Sequence, residues 1–281
     1  MTRTLVIGDA LVDIHVRPMH DIAFGTDTPA ATSINVGGAG ANIAAWLAYQ
    51  GIETHLAACV GRDPFAGYVI EHAERAGIQC SFQSTDQAST GTCVVIIDHH
   101  GERSMLPDSG ANRYLMPPNI EPQAGIEHLH MSGYSLAHPF GPSLLEFMLG
   151  FSGTTSLDLA STAIVKRTPA IQAAAQAVDI VFGTVTEFAD LDEMPTGPLT
   201  VVKDGARGVQ ACSGSSTWDV AAPSVHVVST TGAGDAFAAG FLHGWFSERR
   251  EIATALVSGT ALAERALSRV AAWPPARNTE E

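Results

Sequence analysis

The sequence predicts an α/β fold with a mostly parallel central sheet, helices on both its faces and a small β-sheet lid. Three features of the 281-residue chain point there. Short apolar runs alternate with helix patterns over most of its length, which is how a parallel sheet with crossover helices reads. Two stretches, residues 11–36 and 91–107, interrupt the alternation with short strand patterns and no helix. Hydrophobic residues make up 46% and charged residues 16%, enough apolar material for a sizeable core.

Residues 5–8 form an apolar run ending in glycine, read as a buried first strand. Residues 11–16 and 32–35 alternate polar and apolar. Residues 39–50 read as a helix stopped by Gly51, residues 54–60 as a strand, and Asp63-Pro64 as the start of a helix ending at Gly77. Residues 91–98 and 103–106 read as a hairpin around a His-His-Gly-Glu turn. Strand–helix pairs follow at 128–131 and 142–149, 155–159 and 168–177, and 179–182 and 186–191. Residues 199–203, 209–213 and 217–220 read as strands without helices between them. Two helices, about 235–246 and 251–267, close the fold, and a polar tail from Pro274 is expected to fray. Residues 1–10, 37–90 and 112–281 are assigned to the α/β domain, and 11–36 with 91–111 to the lid. A small sheet projecting from the C-terminal edge of a parallel sheet covers the place where α/β ligands bind.

The formal net charge of −14 repels nucleic acid and anionic membranes, so neither is an expected partner. A polyphosphate site on such a chain has to be a local pocket of backbone amides, a few Lys or Arg, and Mg²⁺. Cys59, Cys80, Cys93 and Cys212 are scattered with no CxxC, which argues for a reducing compartment. The N-terminus runs straight into a strand, and no apolar run is long enough to span a bilayer. A cytoplasmic location is the resulting expectation.

The segment Ser229-Thr-Thr-Gly232-Ala233-Gly234-Asp235-Ala-Phe237 leads into an apolar helical run. A glycine turn feeding a helix leaves backbone N–H groups unpaired at the positive helix end, an anion site. A carboxylate at its mouth makes sense if Asp235 takes a proton from a nucleophile attacking a phosphorus atom held there. The alternative is that Asp235 simply favours the first turn of a helix. A second glycine cluster, Asn35-Val-Gly37-Gly38-Ala39-Gly40-Ala41-Asn42, also opens a helix. Asn42 offers an amide suited to sugar hydroxyls, and Asp13 follows the first-strand glycine, Gly8, by five residues. Taken alone, this cluster reads better as a tight strand-to-helix turn, with Asn42 as an early-helix polar residue. Ile43 stands where a dinucleotide fingerprint has its third glycine, and no Gly-Lys-Ser/Thr follows as in a Walker A loop.

Taken together, in this order and separation, the two clusters resemble the signatures of the ribokinase-like (PfkB) carbohydrate kinase family. The first is Gly37-Gly-Ala-Gly-Ala-Asn42 with Val60-Gly-Arg-Asp63 downstream, and the second is Thr230-Thr-Gly-Ala-Gly-Asp235. Gly101-Glu-Arg-Ser104, Gly110-Ala-Asn112 and Leu157-Asp-Leu-Ala160 stand between them. The resemblance runs nearly end to end. It implies a three-layer α/β sandwich with a β-sheet lid and ATP-dependent phosphorylation of a hydroxymethyl group on a sugar or nucleoside. It implies Asp235 as general base, and the backbone of Gly232, Ala233 and Gly234 as the anion hole. Asp13, Gly37, Gly38, Asn42 and the lid residue Arg103 match substrate-binding positions. Lys203, Gly205, Gly208, Thr231 and Gly234 match nucleotide-binding positions, and Glu187 matches an acid that acts on Mg²⁺ through water. A homodimer joined through the lid is a further implication.

Five departures qualify the match. Leu11 and Ala39 stand where ribokinase itself has Asn and Lys, which argues against ribose as substrate. Thr184 replaces the Asn of an Asn-x-x-Glu motif, which argues against the usual Mg²⁺ water network. Ser229 replaces an Asp that helps hold a monovalent cation. The segment from Leu267 lacks the usual glycine, and with Ser229 this argues against activation by K⁺. Asp13, Asn42 and Arg103 suit a furanose or an open-chain sugar acid, whose carboxylate Arg103 would pair. An apolar Leu11 leaves room for a nucleoside base. A non-catalytic sugar- or nucleotide-binding regulator on the same scaffold is the reading of another class. His99-His100 and the His128-x-His130 pair read as solvated turn histidines and a strand-edge pair rather than metal ligands, because no further ligand stands nearby.

Overall fold

The computed structural model describes residues 2–99, 103–117, 125–247 and 251–275. Residues 100–102 of the expected hairpin turn and 276–281 of the expected tail lie outside the described residues. The main sheet contains β1 (Arg3–Ile7), β4 (Glu53–Gly61), β5 (Gln79–Thr85), β8 (His128–Ser132), β9 (Thr154–Asp158), β10 (Ile180–Thr184), β11 (Leu199–Lys203), β12 (Val209–Ser213) and β13 (Ser216–Val220). Its order is β13-β12-β11-β10-β9-β8-β1-β4-β5. All pairs from β5 to β11 are parallel, and β12 and β13 add an antiparallel edge. The second sheet, in order β3-β2-β6-β7, comprises β2 (Leu11–Pro18), β3 (Ala30–Gly37), β6 (Gly91–Ile97) and β7 (Arg103–Asp108). Its two antiparallel pairs are joined by the parallel pair β2–β6.

Strands of the main sheet are apolar on both faces because helices cover both. Val6 of β1 and Ile180 and Phe182 of β10 face α1 (Ala39–Tyr49), α2 (Pro64–Arg75), α8 (Ala233–Ser247) and α9 (Ile252–Leu267). Their neighbours Leu5, Ile7 and Val181 face the opposite way, towards α3 (Gly133–Leu136), α4 (Gly141–Leu149), α5 (Thr162–Val165), α6 (Pro169–Ala177) and α7 (Val185–Ala189). Asp63 starts α2 as a cap, accepting from Phe65 N at 2.9 Å and Ala66 N at 3.2 Å. Strand β5, a half-buried polar–apolar edge, lacks the apolar run by which the other strands were legible.

The histidine pair departs from its expected place. Strand β8 lies inside the sheet between β1 and β9, so His128 and His130 are buried rather than at an edge. The neighbouring strand supplies partners for three of the four ring nitrogens on the same face. Ser156 Oγ lies 2.8 Å from both His128 Nε2 and His130 Nδ1, and Thr154 Oγ1 lies 2.8 Å from His128 Nδ1. Burial, with a smaller contribution from Lys203, pushes His130 down to about 3 and keeps it neutral.

Candidate active site

The two glycine clusters meet at the C-terminal edge of the main sheet. Asn42, one turn into α1, donates from Nδ2 to Asp235 Oδ2 at 2.7 Å, in the first turn of α8. Each helix is entered through a residue whose backbone excludes a side chain. Gly38 has φ 99°, and a β-carbon there would come 2.5 Å from Asp9 O. Gly232 has φ 75°, and a β-carbon there would come 2.7 Å from Ala272 Cβ. Ala233 N turns back to Thr230 O at 3.3 Å and Ala236 N to Gly232 O at 2.8 Å. The N–H groups of Gly234 and Asp235 are left without a main-chain acceptor among the described residues. These are the unpaired donors of a helix N-terminus, open to an anion.

The loop before α8 is braced from behind. Val228 N and Ser229 N both donate to Leu267 O, at 2.8 and 3.2 Å, and Thr231 N donates to Ser229 Oγ at 3.2 Å. Ala272 O accepts from the buried Trp46 Nε1 at 2.8 Å, tying the loop's packing partner to α1.

Lys203, at the end of β11, reaches both oxygens of Asp158 at the end of β9, at 3.0 and 2.9 Å. Its ammonium lies 3.3 Å from the position a β-carbon would take on Gly234. Burial alone would lower the Lys203 pKa; the surrounding carboxylates of Asp158, Glu187 and Asp235 outweigh it and raise the pKa, so the lysine stays charged. Asp235 is raised to about 7, first by burial and then by Asp158, with Asn42 and Lys203 acting against the rise. Asp13 is also raised to about 7, by burial and then by Asp9. The cleft therefore brings a cation and an open helix end together with two carboxylates poised near neutrality.

Asp13 is buried on β2 of the small sheet, and Gly37, at the end of β3, lies directly against its carboxylate. Arg103 opens β7 and donates to Thr230 Oγ1 at 3.1 Å and Val228 O at 3.2 Å, linking the small sheet to the loop before α8. Thr231 lies in that loop. Gly205 and Gly208 flank a short 3₁₀ turn after β11, where Arg207 pairs with Asp204 at 2.7 Å. Glu187 closes a capping box on α7: its Oε2 accepts from Thr184 N at 2.7 Å, and Thr184 Oγ1 accepts from Glu187 N at 3.3 Å. Threonine thus keeps the capping role at this position. No group of three or more His, Cys, Asp or Glu able to hold a metal occurs among the described residues.

The sequence reading assigned no role to three residues that line this region. Asp9 follows β1, accepts from α1, and raises Asp13 and Asp235. Asp158 anchors Lys203, and Tyr134, at the start of α3, is close enough to Asp9 and Asp235 to feel both charges. The available signal was position: Asp9 and Asp158 sit at the C-terminal ends of parallel strands, where α/β ligands bind.

The pfkB family carbohydrate kinase model matches residues 1–277. A fructokinase from Klebsiella pneumoniae is 29% identical over 233 residues, covering 74% of this chain and 76% of that protein. An ATP-dependent ribose-1-phosphate kinase from Halopiger xanaduensis is 26% identical, covering 75% and 74%. The structure of an adenosine kinase from Sinorhizobium meliloti superposes with a TM-score of 0.84 at 24% identity, covering 97% and 96%, and carries the same fold. No described helix is long and apolar enough to cross a membrane. The match over residues 1–277, and a cleft in which both glycine clusters meet, make this chain a member of the pfkB family of carbohydrate kinases, phosphotransferases with an alcohol group as acceptor.

Proposed function

We propose that this kinase transfers the γ-phosphoryl group of ATP to a hydroxymethyl group of a small sugar, with Asp235 as general base. The observation that carries this reading is the contact between Asn42 and Asp235 at 2.7 Å, beside the unpaired N–H groups of α8. A hydroxyl held there lies between a carboxylate able to take its proton and the donors that receive a phosphoryl oxygen. Asp235 accepts the proton as the new O–P bond forms and the bond from the γ-phosphorus to the leaving β–γ bridging oxygen breaks, releasing ADP. A base at about 7 is matched to this task. Gly232, Ala233 and Gly234 form the anion hole, Lys203 faces the transferring phosphoryl, and Gly205, Gly208 and Thr231 line the nucleotide. Asp13, Gly37, Gly38, Asn42 and Arg103 surround the acceptor, and closure of the small sheet excludes water.

The donor set fits Mg²⁺ held mainly by phosphate oxygens and water, since that ion needs only one or two protein carboxylates. Glu187 is the candidate, through water, with Oε1 free of the capping box. When bound, Mg²⁺ supplies positive charge to the phosphates. Ser229 uses its hydroxyl within the loop, which supports a kinase independent of K⁺.

A nucleoside acceptor is favoured by one observation: Leu11, apolar, stands on the same face of β2 as Asp13. A row of Ile34, Ile14, Val94 and Leu106 crosses all four strands on the opposite face, with Ile34 48% and Leu106 59% exposed. It supports a homodimer joined through the lid, which sedimentation would test. Use of ATP and four free thiols support a cytoplasmic location. An ATP-consumption screen over sugars and nucleosides tests the assignment. Turnover of a sugar upholds it, turnover of nucleosides alone moves it to that class, and binding without turnover favours the regulator.

A further inference from the structure

We infer that Asp9 makes this kinase selective for a neutral, hydroxyl-rich acceptor and against acceptors carrying a carboxylate or phosphate. The inference rests on assigning the cleft around Asp13 and Asn42 to the acceptor. Two helices point their N-termini into the site, and either end alone would attract an anion. The end of α8 is open. The end of α1 is already occupied by the protein's own carboxylate: Ala39 N donates to Asp9 Oδ2 at 3.1 Å and Gly40 N to Asp9 Oδ1 at 3.4 Å. Ala41 N donates to Asp9 O at 3.0 Å, and Ser132 Oγ adds a bond to Oδ1 at 3.2 Å. A substrate lying over α1 therefore meets a fixed negative charge where bare amides would have welcomed a phosphate.

The remaining groups on that side ask for donors. Asn42 is 5% exposed, its Nδ2 is committed to Asp235, and its Oδ1 has no partner among the described residues. Asp13 presents a second carboxylate, and its raised pKa reflects burial and the nearby Asp9 charge. Asp9 also lies close enough to Asp235, Tyr134 and His138 for each to feel its charge. The cations of the site are already engaged by the protein. Lys203 is held by Asp158 beside Gly234, and the Arg103 guanidinium is bonded to Val228 and Thr230 at the phosphate-side loop. Along the sheet, Arg103 pairs with Ile97, four residues beyond the Cys93 that pairs with Asp13, so its backbone stands at the end of the small sheet away from α1, and its charge is felt at His15. Sugar hydroxyls satisfy Asn42 Oδ1 and the carboxylates; an additional anion over the α1 end meets Asp9 and Asp13.

The test uses matched pairs that differ in one charged group: D-glucitol with D-gluconate, and D-ribose with ribose 1-phosphate. Calorimetric affinity and ATP consumption are measured for the parent protein, Asp9→Asn and Asp9→Ser, both substitutions able to cap α1. The expected result is that the neutral member binds at least about 100-fold better in the parent, and that both variants narrow the gap at least about tenfold with folding intact. An equal or reversed preference in the parent, or an unchanged ratio in folded variants, overturns the inference. Absence of turnover with a preserved affinity ratio counts against the kinase assignment and for the role of Asp9.

Discussion

Replacing Asp235 with Asn separates chemistry from folding. Its carboxyl is raised from 3.8 to about 7, chiefly by burial, a shift equivalent to about 4 kcal/mol against the charged form. Asp235 keeps partial solvent access, so about 2 kcal/mol is the working figure. The sign follows from linkage. A carboxyl with a raised folded pKa binds its proton more tightly in the folded state, so wild-type stability falls as pH rises from about 4 to 7. Asp235→Asn escapes that loss while its amide oxygen still accepts from Asn42 Nδ2. The variant should therefore melt roughly 4–8 °C higher than wild type at pH 8, with the gain fading as the pH falls towards 4. Its kcat should drop about 10²–10⁴-fold, and the limb of the wild-type rate profile that rises through about pH 7 should vanish. Calorimetric melts across pH, nucleotide binding and steady-state kinetics supply the readouts. A folded variant that binds ATP and retains kcat within tenfold of wild type would refute Asp235 as the base.

Three further outcomes are expected. Lys203→Met leaves Asp158, whose side chain is 10% exposed, without its counter-charge; it should cost about 3–5 kcal/mol in urea unfolding and weaken ATP binding. Adding Asp158→Leu should recover stability but not ATP affinity. Gly232→Ala forces a side chain into φ 75° and against Ala272, so it should cost about 1–3 kcal/mol by thermal melt and lower single-turnover rates. Arg103→Ala removes the bonds to Thr230 and Val228; it should change stability by less than about 0.5 kcal/mol yet raise ATP hydrolysis relative to sugar phosphorylation in a paired assay.

Local chemistry carried the elements and both glycine signatures. Apolar runs long enough for buried strands, Asp63-Pro64 ahead of α2, and Gly-Ala-Gly-Asp ahead of α8 are each decided within a few residues, because propensity, capping and period act over one or two turns. The tertiary structure alone decided what lies beside what. His128 and His130 gained partners only because β9 brings Thr154 and Ser156 to their face. Asp9, unremarkable after the first strand, became the cap of α1 across 30 residues, and Asp158 became the anchor of Lys203 across 45. Hydrogen bonds and Coulomb forces act through space at a few ångströms, whereas a sequence pattern records only neighbours along the chain. The residues that chemistry singled out were therefore legible early, and those that charge and position singled out had to wait for the fold.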